Sequence, residues 1–389
     1  MGRLPITVFL AIFLAACSST HTLETRVTKE NYRAVTLAAD IQQQTDEPFR
    51  VWADETSDFL YDAKDGSTPL KVKGDRLNIL ALSGGGANGA FGAGIINGLY
   101  DSQQLQEYTI ITGISAGSLI APFVFVGGDE IPRLKEVMLG INDKMILGKH
   151  NLLNTLIKDA FTNGEQMFEF IEQVYTPEMI EQIALQHKAG RRLFIGTTHF
   201  DSEELVVWNL GRIAESHLPN KVHLIHQILA ASSSIPGVFP PQFIAVDHDN
   251  QRLEELHVDG GLTVQMFFEV VNIDYHKVNQ ALGLSSAPQV HVIRNGMLKV
   301  PYSATEDKGV QLLRRSIASM TIQQAKGDLY RMLYFSEMTG LDLRFAYVDD
   351  EFDAPKATKD MFDLEYMKAL YQYGYDKVNS DELWSTEVP

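Results

Sequence analysis

A chain of 389 residues is long enough for two domains of ordinary size, or for one large α/β domain with a helical appendage. Its 33 basic and 50 acidic side chains leave a formal net charge of −17, which argues against nucleic-acid binding and against adhesion to anionic lipid through a polybasic face. A role at a membrane therefore needs another means of attachment, and a single cysteine excludes an intramolecular disulfide.

The chain opens with Arg3, a short apolar run over 6–16, and Leu14-Ala15-Ala16-Cys17. The run is shorter than the roughly 20 residues that cross a bilayer, so residues 1–16 read as an export signal rather than a retained transmembrane helix. Cys17 at this point resembles the lipobox of bacterial lipoproteins. That resemblance implies a lipidated Cys17 holding the chain at the bacterial cell envelope, and Ser18 after it resembles lipoproteins sorted to the outer membrane, facing the periplasm. Ordinary signal cleavage beside an incidental cysteine is the alternative. Residues 17–74 are polar and mixed, and read as a tether and leader with one helix candidate at 30–43.

A compact apolar strand at 77–83 runs directly into Gly84-Gly85-Gly86-Ala87-Asn88-Gly89 and then a small-residue helix at 90–100. A second strand at 109–113, a helix at 115–126, and strands at 192–197 and 205–208 continue the alternation, which is α/β organisation. Helical spacing recurs at 152–161, 165–175 and 178–187. The first carries Leu153, Leu156, Ile157 and Ala160 on one face; these helices either cover the site or pack on the sheet, and packing is the favoured reading. A helix at 222–231 stops at Ser232-Ser233-Ser234-Ile235-Pro236-Gly237-Val238-Phe239-Pro240-Pro241, whose prolines forbid continuation. A strand at 289–294 completes a catalytic unit at 75–300. Residues 301–389 are expected to form a mainly helical extension: a helix at 307–335 with Val310, Leu313, Ile317 and Met320 on one face, a strand at 343–348 and a last helix at 364–373.

The chemistry gathers at three turns. Gly113-Ile114-Ser115-Ala116-Gly117 lies between an apolar strand and an apolar helix, where a sharp turn flanked by Gly113 and Gly117 exposes a serine hydroxyl. A serine nucleophile needs a base. His257 and His291 are the histidines best placed in chain order for an ordinary Ser-His-Asp esterase, though neither stands in a glycine-rich turn and each reads more simply as structural. In His257-Val258-Asp259-Gly260-Gly261 a strand delivers Asp259 to a turn. A carboxylate with an ordinary pKa of about 3.9 is a weak base unless burial raises it. The third turn is the glycine run, where converging amides at a helix start suit an oxyanion. It also fits G-x-G-x-x-G, but the acidic residue expected after a second strand is missing and no Gly-Lys-Ser/Thr ending makes a P-loop. His223 and His226, three residues apart, read as surface residues rather than metal ligands, and Asp247-His248-Asp249 as a hydrophilic turn.

Glycine loop, GxSxG and Asp-Gly-Gly in this order resemble the patatin-like phospholipase family over 77–294. Softer echoes lie in Phe194-Ile195-Gly196-Thr197-Thr198 and in 231–241. The resemblance implies a three-layer α/β/α sandwich with a mostly parallel central sheet. It also implies a Ser115–Asp259 dyad without histidine, and an oxyanion hole from Gly84, Gly85, Gly86, Asn88 and Gly89. Asn88 stands where the family commonly carries arginine. The implied activity is hydrolysis of phospholipid or another acyl ester, with no cofactor and no metal. A non-catalytic lipid-binding or envelope scaffold on the same fold is the alternative.

Overall fold

The computed structural model describes residues 22–37, 47–55, 58–147, 164–268, 273–300, 302 and 304–389. The export signal, Cys17 with Ser18, and the helix expected at 152–161 lie outside these residues.

Among the described residues nine strands form one sheet: β1 (Arg50–Trp52), β2 (Asn78–Leu82), β3 (Ile110–Gly113), β4 (Arg192–His199), β5 (Glu204–Asn209), β6 (Gln242–His248), β7 (Gln251–Asp259), β8 (Gln289–Met297) and β9 (Asp342–Val348). Their order is β1-β5-β4-β3-β2-β8-β9, with the β6–β7 hairpin attached to β4 through β7. Strands β4, β3, β2, β8 and β9 run parallel. Strands β1 and β5 and the hairpin add an antiparallel flank.

Strand β2 shows why the sheet is covered twice. Its residues Ile79 to Leu82 are all fully buried, the continuous apolar run that a strand needs when both faces meet protein. Leu80 and Leu82 point into a core with Phe91, Ile95, Ile120 and Leu370. Ile79 and Ala81 point the other way, into a core with Phe268, Tyr275, Leu329 and Met332. The helices α1 (Gly89–Asp101), α2 (Ala116–Val126), α3 (Glu130–Gly140), α4 (Glu165–Val174), α5 (Pro177–Lys188), α6 (Lys221–Ser232), α7 (Tyr275–Ala281), α8 (Gly309–Thr339) and α9 (Leu364–Lys377) supply these cores. The architecture is a three-layer α/β/α sandwich.

Two expectations change. The stretch read as a polar leader contributes β1, which pairs with β5 at the sheet edge. It does so because Arg50 brings its guanidinium to the fully buried Glu255 of β7, with Nη2 donating to Oε1 at 2.9 Å, while Phe49 and Trp52 enter the core. The described part of the helix expected at 30–43 is a turn followed by a bridge from Thr36 to Asp247. In the C-terminal region β9 extends the sheet and α9 packs on α1. Among the described residues no helix is long and apolar enough to cross a membrane.

Candidate active site

The register of the strands brings the turns together. Gly113 at the end of β3 pairs with Ile195 of β4, and Asp259 at the end of β7 pairs with Thr197 two residues further along. Ser115, two residues beyond Gly113, therefore reaches the level of Asp259. Its Oγ donates to Asp259 Oδ2 at 2.7 Å, and both residues are buried.

Ser115 has φ 50 and ψ −121, a conformation that a non-glycine residue rarely adopts and that marks a strained strand-to-helix elbow. The turn closes this tightly only because Gly117 has no side chain: a Cβ there would lie 2.2 Å from the carbonyl oxygen of Leu82. The serines of 231–241 brace the elbow from outside. Ser232 Oγ accepts from the Ser115 amide at 3.0 Å and donates to Gly196 O at 2.8 Å. The Ser234 carbonyl accepts from the Asp259 amide at 3.0 Å.

Asp259 Oδ1 accepts from the Gly261 amide at 2.7 Å, so one oxygen orients the carboxyl and the other faces the serine. Burial pushes its pKa up from 3.8 to about 6, against the opposing pull of the Ser115 and Gly261 hydrogen bonds. The two histidines considered above point elsewhere. His257 binds Thr197 Oγ1 through Nδ1 at 2.9 Å and Glu255 through Nε2 at 3.2 Å. His291 Nδ1 meets the Tyr108 hydroxyl at 2.8 Å and its ring stacks on Trp384. Desolvation holds both rings below the ordinary histidine range.

The glycine run does not offer all five expected donors. The Gly84 amide donates to Gln265 O at 3.0 Å and the Asn88 amide to Gly85 O at 3.1 Å. The Gly89 amide is turned onto the Gly86 and Ala87 carbonyls. Asn88 Oδ1 accepts from the Tyr366 hydroxyl at 3.0 Å, which ties that side chain to α9. Among the described residues, no protein acceptor takes the amide hydrogens of Gly85 and Gly86. The backbone at Gly85 passes so close to Asn295 that a Cβ would lie 2.3 Å from its carbonyl oxygen. Arg294 supports the loop from beneath, with Nη1 donating to Gly84 O at 2.8 Å. Gln265 links it to the Asp-Gly-Gly turn by donating Nε2 to Gly261 O at 2.7 Å.

Ser115 and Gly86 line an apolar cleft with a cavity volume of about 50 Å³. Its walls include Leu119, Met138, Phe170 and Phe239, together with Met361, Phe362 and Met367 from the C-terminal region. Asp143 fixes that last wall by accepting from the Met361 and Phe362 amides at 3.0 and 2.7 Å. The sequence carried no signal for this contribution, because it arises from a contact between segments 218 positions apart. His226 is a correction of another kind: it is buried and meets Tyr175 O through Nε2 at 2.7 Å, while His223 is exposed. The Asp247-His248-Asp249 stretch is the end of β6 and the start of its hairpin turn, with Asp249 and Asn250 both at positive φ. Among the described residues no group of three or more His, Cys, Asp and Glu side chains is placed to hold a metal ion.

The chain is similar to the uncharacterized protein R571 of Acanthamoeba polyphaga mimivirus, at 23% identity over 226 residues, covering 55% of this chain and 67% of that protein. Among solved structures it is similar to VipD from Legionella pneumophila, with TM-score 0.37 and 13% identity over 87% of this chain and 71% of that one. It is also similar to full-length ExoU, solved with SpcU from the type III secretion system of Pseudomonas aeruginosa. There the TM-score is 0.26 and the identity 18%, over 43% of this chain and 40% of that one. The family model described as patatin-like phospholipase matches residues 80–270, the span that holds the glycine loop, the Ser115 elbow and Asp259. Through residues 80–270 the chain belongs to the patatin-like phospholipase family.

Proposed function

We propose that this chain is a lipid acyl hydrolase in which Ser115 is the nucleophile and Asp259 its only base. The observation that carries the reading is the 2.7 Å hydrogen bond from Ser115 Oγ to Asp259 Oδ2, with Ser115 lining an apolar cleft. The family supports a lipid hydrolase in general terms. The elbow, the carboxyl and the cleft support this particular division of labour.

Burial removes the objection that a carboxylate is too weak a base, since a pKa near 6 makes proton transfer from an attacking hydroxyl much less uphill at neutral pH than it is for an ordinary aspartate. As Asp259 takes the Ser115 proton, Oγ attacks the ester carbonyl and the amides of Gly85 and Gly86 hold the resulting oxyanion. Collapse of the tetrahedral intermediate breaks the ester C–O bond, and Asp259 returns the proton to the departing alcohol. Water, deprotonated by the same carboxylate, then attacks the acyl-serine; the C–Oγ bond breaks, Asp259 returns that proton to Ser115 Oγ, and the fatty acid is released. The apolar walls are suited to the acyl chain, whose burial is worth about 0.8 kcal/mol per methylene.

Attachment to the bacterial envelope through a lipidated Cys17 belongs to the same proposal and is supported by the sequence alone. The test is release of fatty acid from purified phospholipid, with Ser115→Ala as control. Activity present in the parent and absent from the variant is expected. Equal release by both rejects the assignment.

A further inference from the structure

Helix α8 joins two parallel strands, β8 and β9, so it must begin at the edge of the sheet where β8 ends. That is also the edge where β3 delivers Ser115. With 31 residues α8 is about 46 Å long, whereas the 7 residues of β9 span about 23 Å. The excess projects past the sheet on the active-site side. Every described side chain from 311 to 320 is exposed, and among the described side chains of the helix the first buried one is Ala325.

This arm has a composition of its own. Leu313, Ile317 and Met320, the residues expected to share one face, are 61%, 57% and 71% exposed, so the apolar stripe is turned to solvent rather than into a core. In a chain of net charge −17, the stretch from 308 to 327 contains Lys308, Arg314, Arg315 and Lys326 and no acidic residue, although Glu306, which pairs with Lys308, and Asp307 precede it and Asp328 follows it. The arm leaves the body beside the catalytic turn: Gln324 Nε2 donates to the carbonyl of Leu262 at 3.4 Å. Leu262, three residues after Asp259, is itself 45% exposed.

We propose that the projecting start of α8 is an interfacial arm. It lays Leu313, Ile317 and Met320 into the headgroup–acyl boundary of a bilayer bearing anionic lipid, beside the mouth of the Ser115 site. An apolar stripe within a cationic stretch matches the chemistry of such a boundary. The whole-chain charge argues against a general polybasic face, and the arm is a local exception to it. The inference rests on the hydrolase reading for its purpose, but its geometry does not depend on turnover.

The test places an indole at the arm by Met320→Trp in a Ser115→Ala chain. A control carries Leu185→Trp, which lies in the last turn of α5, a helix whose end leads to the start of β4 at the opposite edge. Each is mixed with vesicles of brominated phosphatidylcholine, alone or with brominated phosphatidylglycerol. Quenching of at least about twofold is expected at position 320, stronger with phosphatidylglycerol, and none at 185. Trp52, Trp208 and Trp384 emit in every variant, so the quenching is taken as the difference from the Ser115→Ala chain, which reports the added indole and not attachment elsewhere.

In the active chain, Leu313→Glu with Ile317→Glu is expected to lower hydrolysis of vesicle phospholipid at least about tenfold and leave a monomeric soluble ester within about twofold. An unquenched indole at 320, or vesicle hydrolysis unchanged by the double substitution, overturns the proposal. So does a parent that sediments as a dimer which the double substitution dissociates, since a second copy then covers the stripe. Quenching at 320 in a parent chain that hydrolyses nothing counts against the hydrolase reading alone.

Discussion

Asp259→Asn is expected to abolish turnover and at the same time to stabilise the fold. Holding a buried carboxyl at about 6 instead of 3.8 costs the native state about 3 kcal/mol once it is ionised above pH 7. Asparagine removes the charge and keeps the geometry: its Oδ1 still accepts from the Gly261 amide, and its Nδ2 donates to Ser115 Oγ. The sign follows from proton uptake. Between the ordinary and the raised value the folded chain binds a proton that the unfolded chain does not, so this group makes the wild type less stable as pH rises through that window. The advantage of the asparagine chain is then about 3 kcal/mol at pH 8, about half of that at pH 5, and near zero below both values. Urea unfolding of the two chains at pH 8 and pH 5 measures it. A variant less stable than the parent at pH 8, or an advantage independent of pH, refutes the reasoning.

Turnover of a soluble ester is expected to rise with pH and level off above about 6, because only ionised Asp259 accepts the serine proton. A kcat/KM profile flat from pH 4 to 8 would contradict this. Phe362→Ala removes part of the cleft wall contributed by the C-terminal region. The preferred acyl chain is expected to lengthen, with each newly buried methylene worth about fourfold in kcat/KM, read from a series of esters of increasing chain length. Gly117→Ala puts a Cβ 2.2 Å from the Leu82 carbonyl oxygen. A loss of about 3 kcal/mol in urea unfolding, together with turnover, is expected from backbone overpacking that no side-chain rotation relieves.

Much of the site was legible because its residues are local signals. Gly113 and Gly117 announce an elbow, and the Ser115 backbone at φ 50 is the strain they permit. Asp-Gly-Gly announces a turn, although only the β4–β7 register shows that Asp259 reaches Ser115. The amides left without a protein acceptor were less legible. A glycine run shows where amides converge, but not that Gly84 already donates to Gln265 and Gly89 to its own turn.

Long-range packing explains the remaining misses. Arg50 lies in a polar stretch, and its burial depends on Glu255, 205 positions away. The cleft wall at Met361 and Phe362 likewise depends on Asp143. The stripe of Leu313, Ile317 and Met320 has the periodicity of a buried helix face, yet it is turned to solvent. Periodicity identifies a face without saying what covers it.

The pairing of Ser115 with Asp259 as nucleophile and base is tested most directly by peptide mass spectrometry after reaction with a fluorophosphonate. A single adduct on the peptide containing Ser115 is expected, absent from Ser115→Ala and formed at least about a hundredfold more slowly in Asp259→Asn. An adduct on another residue, or labelling as fast with asparagine at 259 as with aspartate, would contradict the account.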